Sequence, residues 1–453
     1  MEPFRYHVYV CDQKKPEGIP SCSTSGSGDV LAALHKEIVS QGLIDDVQVT
    51  PCGSLGLCEH GPNMVVYPEG VWYCGVTAQD VPEIVSSHFR NGAAVERLAH
   101  AEAAELRAEM LANRKKREAA MRAREAAGTL PDELMQTVRC FQESRLLLTA
   151  IELDAFTAVG AGAGAAEAAA RMHADPRAAE MLLNALVAVQ LLRKRDGIFF
   201  NTPVSARFLV QGAPDDARLS LLHYANMWRR WSTLTECVRA GTSVAYEEMH
   251  KRSEEWTQPF IAAMDRNAAE RAPSVVRAVG AQGVTRMLDV GGGSAAYSIA
   301  FARANPGLTA DVLDLPEVCS IAQGHIDRAG LADQVRTRAG DLRADRFGSG
   351  YDLVLLSAIC HMLTPAQNLD LLARCRDALV QGGRMVIQEF ILEPDKTAPK
   401  SAALFSLNML TGTLAGSSYS VDEYREWLAA AGFQAVERIH LPGPSGLMVA
   451  RRP

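Results

Sequence analysis

The chain has 453 residues, 48% of them apolar and 22% charged, with a formal net charge of −7. That length exceeds one ordinary hydrophobic core and calls for two to four domains, and the acidic balance argues against generic nucleic-acid binding. No apolar run reaches the roughly 18 residues a membrane helix needs, and the first residues lack the basic start and apolar stretch of a secretory signal. A cytoplasmic protein with neither nucleic acid nor membrane as partner is expected, its cysteines kept reduced.

Residues 6–11 (YHVYVC) read as a strand and residues 28–42 as an amphipathic helix. VQVTPC, MVVYPEG and VWYCGVT supply three further β-rich runs, and AQDVPEIVSSHF a second helix. The order β-α-β-β-β-α describes a compact α/β unit with a small sheet. From Val95 to Ala127 alanine, glutamate and arginine dominate, which predicts an exposed linker helix or a helix–helix contact. Its basic cluster Arg114-Lys115-Lys116-Arg117 is flanked by glutamates and reads as a solvated helix face.

Gly128 to Pro131 interrupts the helix. Helical segments follow from 132 to about 195, closing on RKRDGIFFNT with a turn at Asp196-Gly197, a pattern suggesting a winged-helix unit. More helices run from about 215 to 280. From Thr285 strands and helices alternate (RMLDVGG, LTADVLDL, QVRTRAGD, YDLVLLSA, GRMVIQEFIL), the signature of a doubly wound parallel sheet. The expected fold class is multidomain α/β: an α/β unit over 1–98, a charged helical linker over 99–130, a helical winged-helix unit over 131–245 and a Rossmann-like domain over 246–453.

In that last domain MLDVGGGSAAYSIAFARA places glycines between a strand and a helix, where backbone can approach a ligand closely. Asp314 ends the second strand, where a carboxylate can bind both hydroxyls of a ribose, and Asp341 ends the third, beside an adenine position. Three such features at successive strand ends point to a nucleoside site. The stretches LDVGGG, DLPEV, AGDL, LSAICH and GGRMVIQEFILEPD together resemble the S-adenosylmethionine (SAM)-dependent O-methyltransferases of the acetylserotonin and plant phenolic type. FQESRLLLTAIELDAFTAV and LLNALVAVQLLRKRDGIFFNTP are similar to that family's helical dimerisation domain. The resemblance covers about residues 132 to 453 and implies a homodimer acting on a small-molecule acceptor.

It implies SAM contacts at Asp289, Gly291, Gly293, Asp314, Asp341, Leu342 and Ser357. It implies His361 as the base that deprotonates the acceptor and Glu389 as the acid that orients it. Two departures stand out: Ala295 occupies the place of the third loop glycine, and Ser418 that of a second orienting acid. Trp228 and Trp231, with His223 and Met227, either line an aromatic pocket or simply pack, and helical spacing favours packing.

Five of the ten cysteines fall in the first 74 residues: Cys11, Cys22, Cys52, Cys58 and Cys74. Four thiolates converging from two loops suit zinc or a [2Fe–2S] cluster, and the spacing alone does not choose. HVYVC, PSC, GSLGLCEHGPNMVVYPEGVWY and DVPEIVSSHFRNGAAVERL resemble the thioredoxin-like [2Fe–2S] ferredoxins over about residues 5 to 98. The ligands this implies fall on Cys11, Cys22, position 54 and Cys58, and position 54 is serine. Cys52 swinging in as the fourth thiolate is the expected solution; ligation by Ser54 and an empty relic site are the other two. Cys74 reads as packing. The expected function is methylation of a small cyclic or aromatic hydroxyl, with an N-terminal redox or regulatory domain and a possible redox partner. The rivals are a redox-responsive binding or electron-transfer protein that holds SAM without chemistry, and a winged-helix regulator, against which the negative charge counts.

Overall fold

The computed structural model describes residues 3–15, 21–100, 103–128, 130–247 and 253–453, apart from the side chains of 124 and 125. Part of the Cys11–Cys22 loop (residues 16–20) and the linker positions 101, 102 and 129 lie outside them. The chain forms two compact units, residues 1–140 and 141–453.

The first unit contains β1 (Tyr6–Cys11), α1 (Ser27–Ser40), β2 (Val47–Cys52), β3 (Met64–Tyr67), β4 (Val71–Tyr73), α2 (Val81–Ile84), α3 (Ala103–Ala126) and α4 (Asp132–Arg139). Strand order is β2-β1-β3-β4, with β1 parallel to β2 and both β1 and β4 antiparallel to β3. Alternation in β1 buries Tyr6, Val8 and Val10, which join Leu34, Met64, Val66, Tyr73, Ile84 and Phe89 in one core. The buried Tyr73 hydroxyl is satisfied twice, by His88 Nδ1 at 2.9 Å and by the Val95 amide at 3.0 Å. Residues 95–100, expected to begin the linker helix, instead pack on the sheet edge: Ala99 bridges to Tyr73, and the His100 amide donates to the Trp72 carbonyl at 2.8 Å. Burial of Val95 and the open hydrogen bonds of β4 outweigh helix propensity there.

The second unit begins with α5 (Phe141–Glu152), α6 (Ala155–Val159), β5 (Ala163–Gly164), α7 (Ala165–Arg171), α8 (Pro176–Ala188), β6 (Leu192–Arg195), β7 (Ile198–Asn201), α9 (Pro203–Phe208), α10 (Arg218–Trp231), α11 (Leu234–Ala240) and α12 (Glu254–Val279). Strands β6 and β7 pair across the Asp196-Gly197 turn, and β5 completes a three-stranded ribbon. There follow β8 (Arg286–Val290), α13 (Ala296–Ala304), β9 (Thr309–Asp314), α14 (Pro316–Ala329), β10 (Val335–Ala339), β11 (Tyr351–Ser357), α15 (Pro365–Ala378), β12 (Leu379–Glu389), α16 (Lys400–Gly412), α17 (Val421–Ala430), β13 (Gln434–His440) and β14 (Gly446–Arg451).

These last strands form one sheet in the order β10-β9-β8-β11-β12-β14-β13, parallel except for β14. Helices cover both faces, so β8 and β11 are buried along nearly their whole length. The connections reverse between β8 and β11, which opens a crevice at their carboxyl ends. Every candidate cofactor and base residue of this domain lies at that edge or just beyond it. Among the described residues no helix is long and apolar enough to cross a membrane.

Candidate functional site

Strand β8 delivers Asp289 and then a turn of glycines. Gly291 takes φ +70°, and a Cβ there would overlap Ile359 Cδ1 and sit 3.4 Å from Leu342 Cδ2. A Cβ on Gly292 would lie 2.7 Å from Val312 Cγ1 and 2.8 Å from Asp289 Cγ. The turn is therefore held against the loops that follow β10 and β11 and against strands β8 and β9, and only a bare backbone fits. Ala295 caps α13 in the left-handed region, φ +65°, a conformation that costs a side chain about 1 kcal/mol relative to glycine.

Asp289 is fully buried; its Oδ2 accepts from Ser298 Oγ at 2.8 Å, while Oδ1 has no partner among the described residues. Burial, with the charge of Asp314 adding to it, pushes its carboxyl up to about 7. Asp314 ends β9 with one oxygen on the Gly293 amide (2.9 Å) and the other on the Leu315 amide (2.8 Å). Each oxygen keeps a lone pair for a further donor. Asp341 is exposed past the end of β10, its carboxylate accepting from the Arg343 amide at 2.8 Å. Leu342 leans toward Gly291, whereas the Ser357 hydroxyl is turned to Gln388 Oε1 at 2.7 Å. An orphaned buried carboxylate oxygen beside a turn that admits no Cβ fits a cationic nucleoside cofactor such as SAM.

His361 follows β11 in a short 3₁₀ turn, and Glu389 is the last residue of β12. Pairing of β11 with β12 brings the two together. His361 Nδ1 lies 2.9 Å from Glu389 Oε2, and the His361 amide donates to Oε1 at 3.2 Å. Both are buried, 7% and 1% exposed, so the pair is shielded from bulk water. With Nδ1–H donating to the carboxylate, Nε2 carries the lone pair of a base. The Ser417 amide donates to the His361 carbonyl at 2.9 Å and anchors the turn. Ser418 Oγ is buried without a hydrogen-bond partner among the described residues, so the arrangement is a dyad rather than a triad.

Sequence reading missed the apolar wall of this site. Phe405 of α16 meets the His361 ring edge-on at 4.9 Å and stacks on Phe390 at 3.9 Å. Arg271 lies 5.4 Å from the Phe390 ring. Phe390 was adjacent to the singled-out Glu389, but SAALFSLNML carries no local signal setting Phe405 apart. Of the four residues left between pocket and packing, Trp231 reaches this wall: its indole donates to Asn408 Oδ1 at 3.2 Å, one turn beyond Phe405. Trp228 packs between Phe141 and Arg145, and His223 sits among Tyr224, Trp256 and Phe260.

The O-methyltransferase dimerisation domain matches residues 135–211, and the O-methyltransferase domain matches residues 231–434. A 3-hydroxy-5-methyl-1-naphthoate 3-O-methyltransferase of Streptomyces sahachiroi is 39% identical over 318 residues, 68% of this chain and 91% of its own length. The chain belongs to the O-methyltransferase family. It is a SAM-dependent enzyme of that class, with a dimerisation domain. The acetylserotonin O-methyltransferase of Rattus norvegicus is 30% identical over 70% of this chain and 76% of its own. The crystal structure of human N-acetylserotonin methyltransferase in complex with SAM superposes with a TM-score of 0.63 at 26% identity, over 70% of this chain and 96% of that one.

In the N-terminal unit the Sγ atoms of Cys11, Cys22 and Cys58 all lie within 4.8 Å of one another, and all three residues are buried. The hydrogen bond between the two thiols draws Cys11 down and pushes Cys22 up. A Cβ on Gly61 would lie 2.6 Å from Cys22 Sγ, and Asn63 Nδ2 approaches that sulfur to 3.5 Å while donating to the Leu57 carbonyl at 2.7 Å. Cys52, expected as the fourth thiolate, is not in this group. It closes the β1–β2 ladder opposite Cys11, its carbonyl accepting from the Asp12 amide at 3.0 Å, and this pairing fixes its backbone. The atom found against the group is Ser54 Oγ, 3.4 Å from Cys58 Sγ. Cys74 is half-buried at the sheet edge, where burial pushes its thiol up.

Proposed function

We propose that this enzyme methylates a hydroxyl on a small cyclic or aromatic acceptor, with His361 as general base and Glu389 as its positioning residue. The observation that carries this reading is the buried His361–Glu389 pair at the carboxyl edge of the sheet, adjoining the glycine turn through Ile359. Asp289, Gly291, Gly293, Asp314, Asp341 and Leu342 would hold SAM; Ser357, committed to Gln388, contributes through that amide. When bound, SAM supplies a methyl group made electrophilic by its sulfonium.

The protein's part is alignment and proton removal. Phe390 and Phe405 present a flat apolar wall against which a ring can lie, holding the acceptor oxygen toward Nε2 of His361. Positioning of this kind supplies effective molarities on the order of 10⁵ to 10⁸ M. His361 takes the hydroxyl proton, a contribution of about 10²- to 10⁴-fold, and Glu389 stabilises the imidazolium that results. The naphthoate and acetylserotonin activities of the relatives support a bicyclic aromatic acceptor. A panel of hydroxynaphthoates and hydroxyindoles with methyl-labelled SAM tests this. His361→Ala is expected to lower kcat at least 100-fold with SAM affinity retained; an unchanged rate overturns the base assignment, and no labelled product from any acceptor overturns the acceptor class.

The N-terminal unit is proposed to be a thioredoxin-like domain carrying a [2Fe–2S] cluster with a redox or regulatory role. The β2-β1-β3-β4 order with β3 reversed supports the fold, and the buried group Cys11, Cys22 and Cys58 supports the cluster. Soft thiolates are the donors iron–sulfur clusters require. The same three sulfurs would accept one tetrahedral zinc, whose ligands at about 2.3 Å stand about 3.8 Å apart. Anaerobic purification followed by iron, sulfide and zinc assay separates the two.

A further inference from the structure

We infer that the fourth donor of the N-terminal metal centre is the Ser54 oxygen and that Cys52 stays outside the coordination sphere. The inference rests on the [2Fe–2S] reading above. Three observations lead to it. The first is position: Ser54 Oγ already touches the Cys58 sulfur at 3.4 Å, whereas Cys52 is absent from the sulfur group. A sulfur at about 2.3 Å and an oxygen at about 2.0 Å on one tetrahedral metal stand about 3.5 Å apart, so the observed separation needs little adjustment.

The second observation concerns the backbone. Cys52 is the last residue of β2, registered opposite Cys11 and tied by the Asp12 amide. Moving its backbone toward the other sulfurs breaks that ladder bond, a loss of about 0.5–1.5 kcal/mol. Ser54 lies beyond the end of the strand, where its backbone amide is tied to a side chain rather than to a ladder partner. Its amide donates to Gln13 Oε1 at 3.2 Å.

The third is support for the ligand atom itself. The Gly56 amide donates to Ser54 Oγ at 3.2 Å. This hydrogen bond fixes where the oxygen points, in the way outer partners orient metal ligands elsewhere. Ser54 is also exposed while the three cysteines are buried. The oxygen therefore closes the solvent side of the centre, and replacing it disturbs no packed core.

The full-length chain and four variants, Ser54→Ala, Ser54→Cys, Cys52→Ala and Cys11→Ala, are purified without oxygen and reconstituted with iron and sulfide. Iron and sulfide per chain, visible absorption and the EPR spectrum after dithionite reduction are then measured. Cys52→Ala is expected to match wild type in all three. Ser54→Ala is expected to lose iron at least ten-fold faster to a chelator. Ser54→Cys is expected to retain iron, with stronger thiolate-to-iron absorption and altered g values. Loss of the cluster in Cys52→Ala, with Ser54→Ala unchanged, overturns the inference while leaving the cluster reading in place. Zinc, or neither iron nor sulfide, in wild type and Ser54→Cys overturns the cluster reading itself. Cluster retention in Cys11→Ala shows that the buried group is not the site and overturns both.

Discussion

Gly291 and Ile359 are in contact across the mouth of the sheet: a side chain on the first would occupy the space of the second. Ile359 stands two residues before His361, so the cofactor turn and the loop carrying the proposed base share one boundary. Gly291→Ala is expected to destabilise the protein by about 1–3 kcal/mol, because both the positive φ and the clash must be relieved. It should also weaken SAM binding at least ten-fold, measured by calorimetry. Gly330→Ala is the control, since its φ is +69° but nothing lies within 4 Å of its Cβ position. A loss of only about 1 kcal/mol and unchanged SAM binding are expected there. Equal losses of affinity in both variants would show that contact with Ile359 is irrelevant.

Asp289 gives the protein a pH dependence of predictable sign. Its folded-state carboxyl is pushed up to about 7, above the ordinary carboxylate value, by burial. The folded state thus binds the proton more tightly than the unfolded chain, and between about pH 4 and pH 7 the unfolded chain holds fewer protons. Stability of the cofactor-free protein therefore falls across that window and levels off above it. A bound cation favours the ionised carboxylate, so SAM affinity should rise from pH 6 to pH 7.5 by up to about ten-fold per unit at the lower end. Thermal denaturation and calorimetry across this range check both slopes. Asp289→Asn should flatten them; identical slopes in the variant would assign the titration to another group.

The parts of this architecture legible in sequence were those with local periodicity or punctuation. Alternation marked β1, and the succession of strands and helices after Thr285 marked the parallel sheet; glycines after Asp289 marked the turn, and Asp314 a strand end. Positions decided by long-range pairing were not legible. Residues 95–100 look helical by composition, yet their backbone completes the edge beyond β4. Phe405 faces His361 only because α16 packs there, some 44 residues along the chain. The two positions proposed for a fourth donor show the same limit. Cys52 and Ser54 are two residues apart, and what sets them apart is that β2 ends at Cys52 and holds it in register opposite Cys11.

Trp231 is predicted to act on the acceptor rather than on the cofactor. Its indole N–H holds Asn408, which shares α16 with Phe405. Trp231→Phe keeps most of the ring volume but removes the hydrogen bond, worth about 0.5–1.5 kcal/mol. KM for the acceptor is expected to rise about 2- to 10-fold with the KM for SAM unchanged. A matching rise in both constants would mean that the contact merely stabilises the fold.

Asn113 ties α3 to the loop between Ser54 and Cys58. Its Nδ2 donates to the Gly56 carbonyl at 3.0 Å, and one turn earlier Met110 covers the same glycine. The neighbouring Glu109–His60 pair, 2.9 Å apart, is largely open to solvent, His60 being 57% exposed. An exposed pair of this kind contributes little, so Glu109→Gln should leave the loop as it is. Asn113→Ala removes the bond that fixes Gly56, whose amide supports Ser54 Oγ, and should speed hydrogen exchange at the Leu55–Leu57 amides about 2- to 10-fold. If the loop carries a metal ligand, bleaching of the visible absorption in air should accelerate in the same variant and not in Glu109→Gln. Unchanged exchange in Asn113→Ala would show that the loop is held by its own turn, and that the helix following the α/β unit has no part in shaping it.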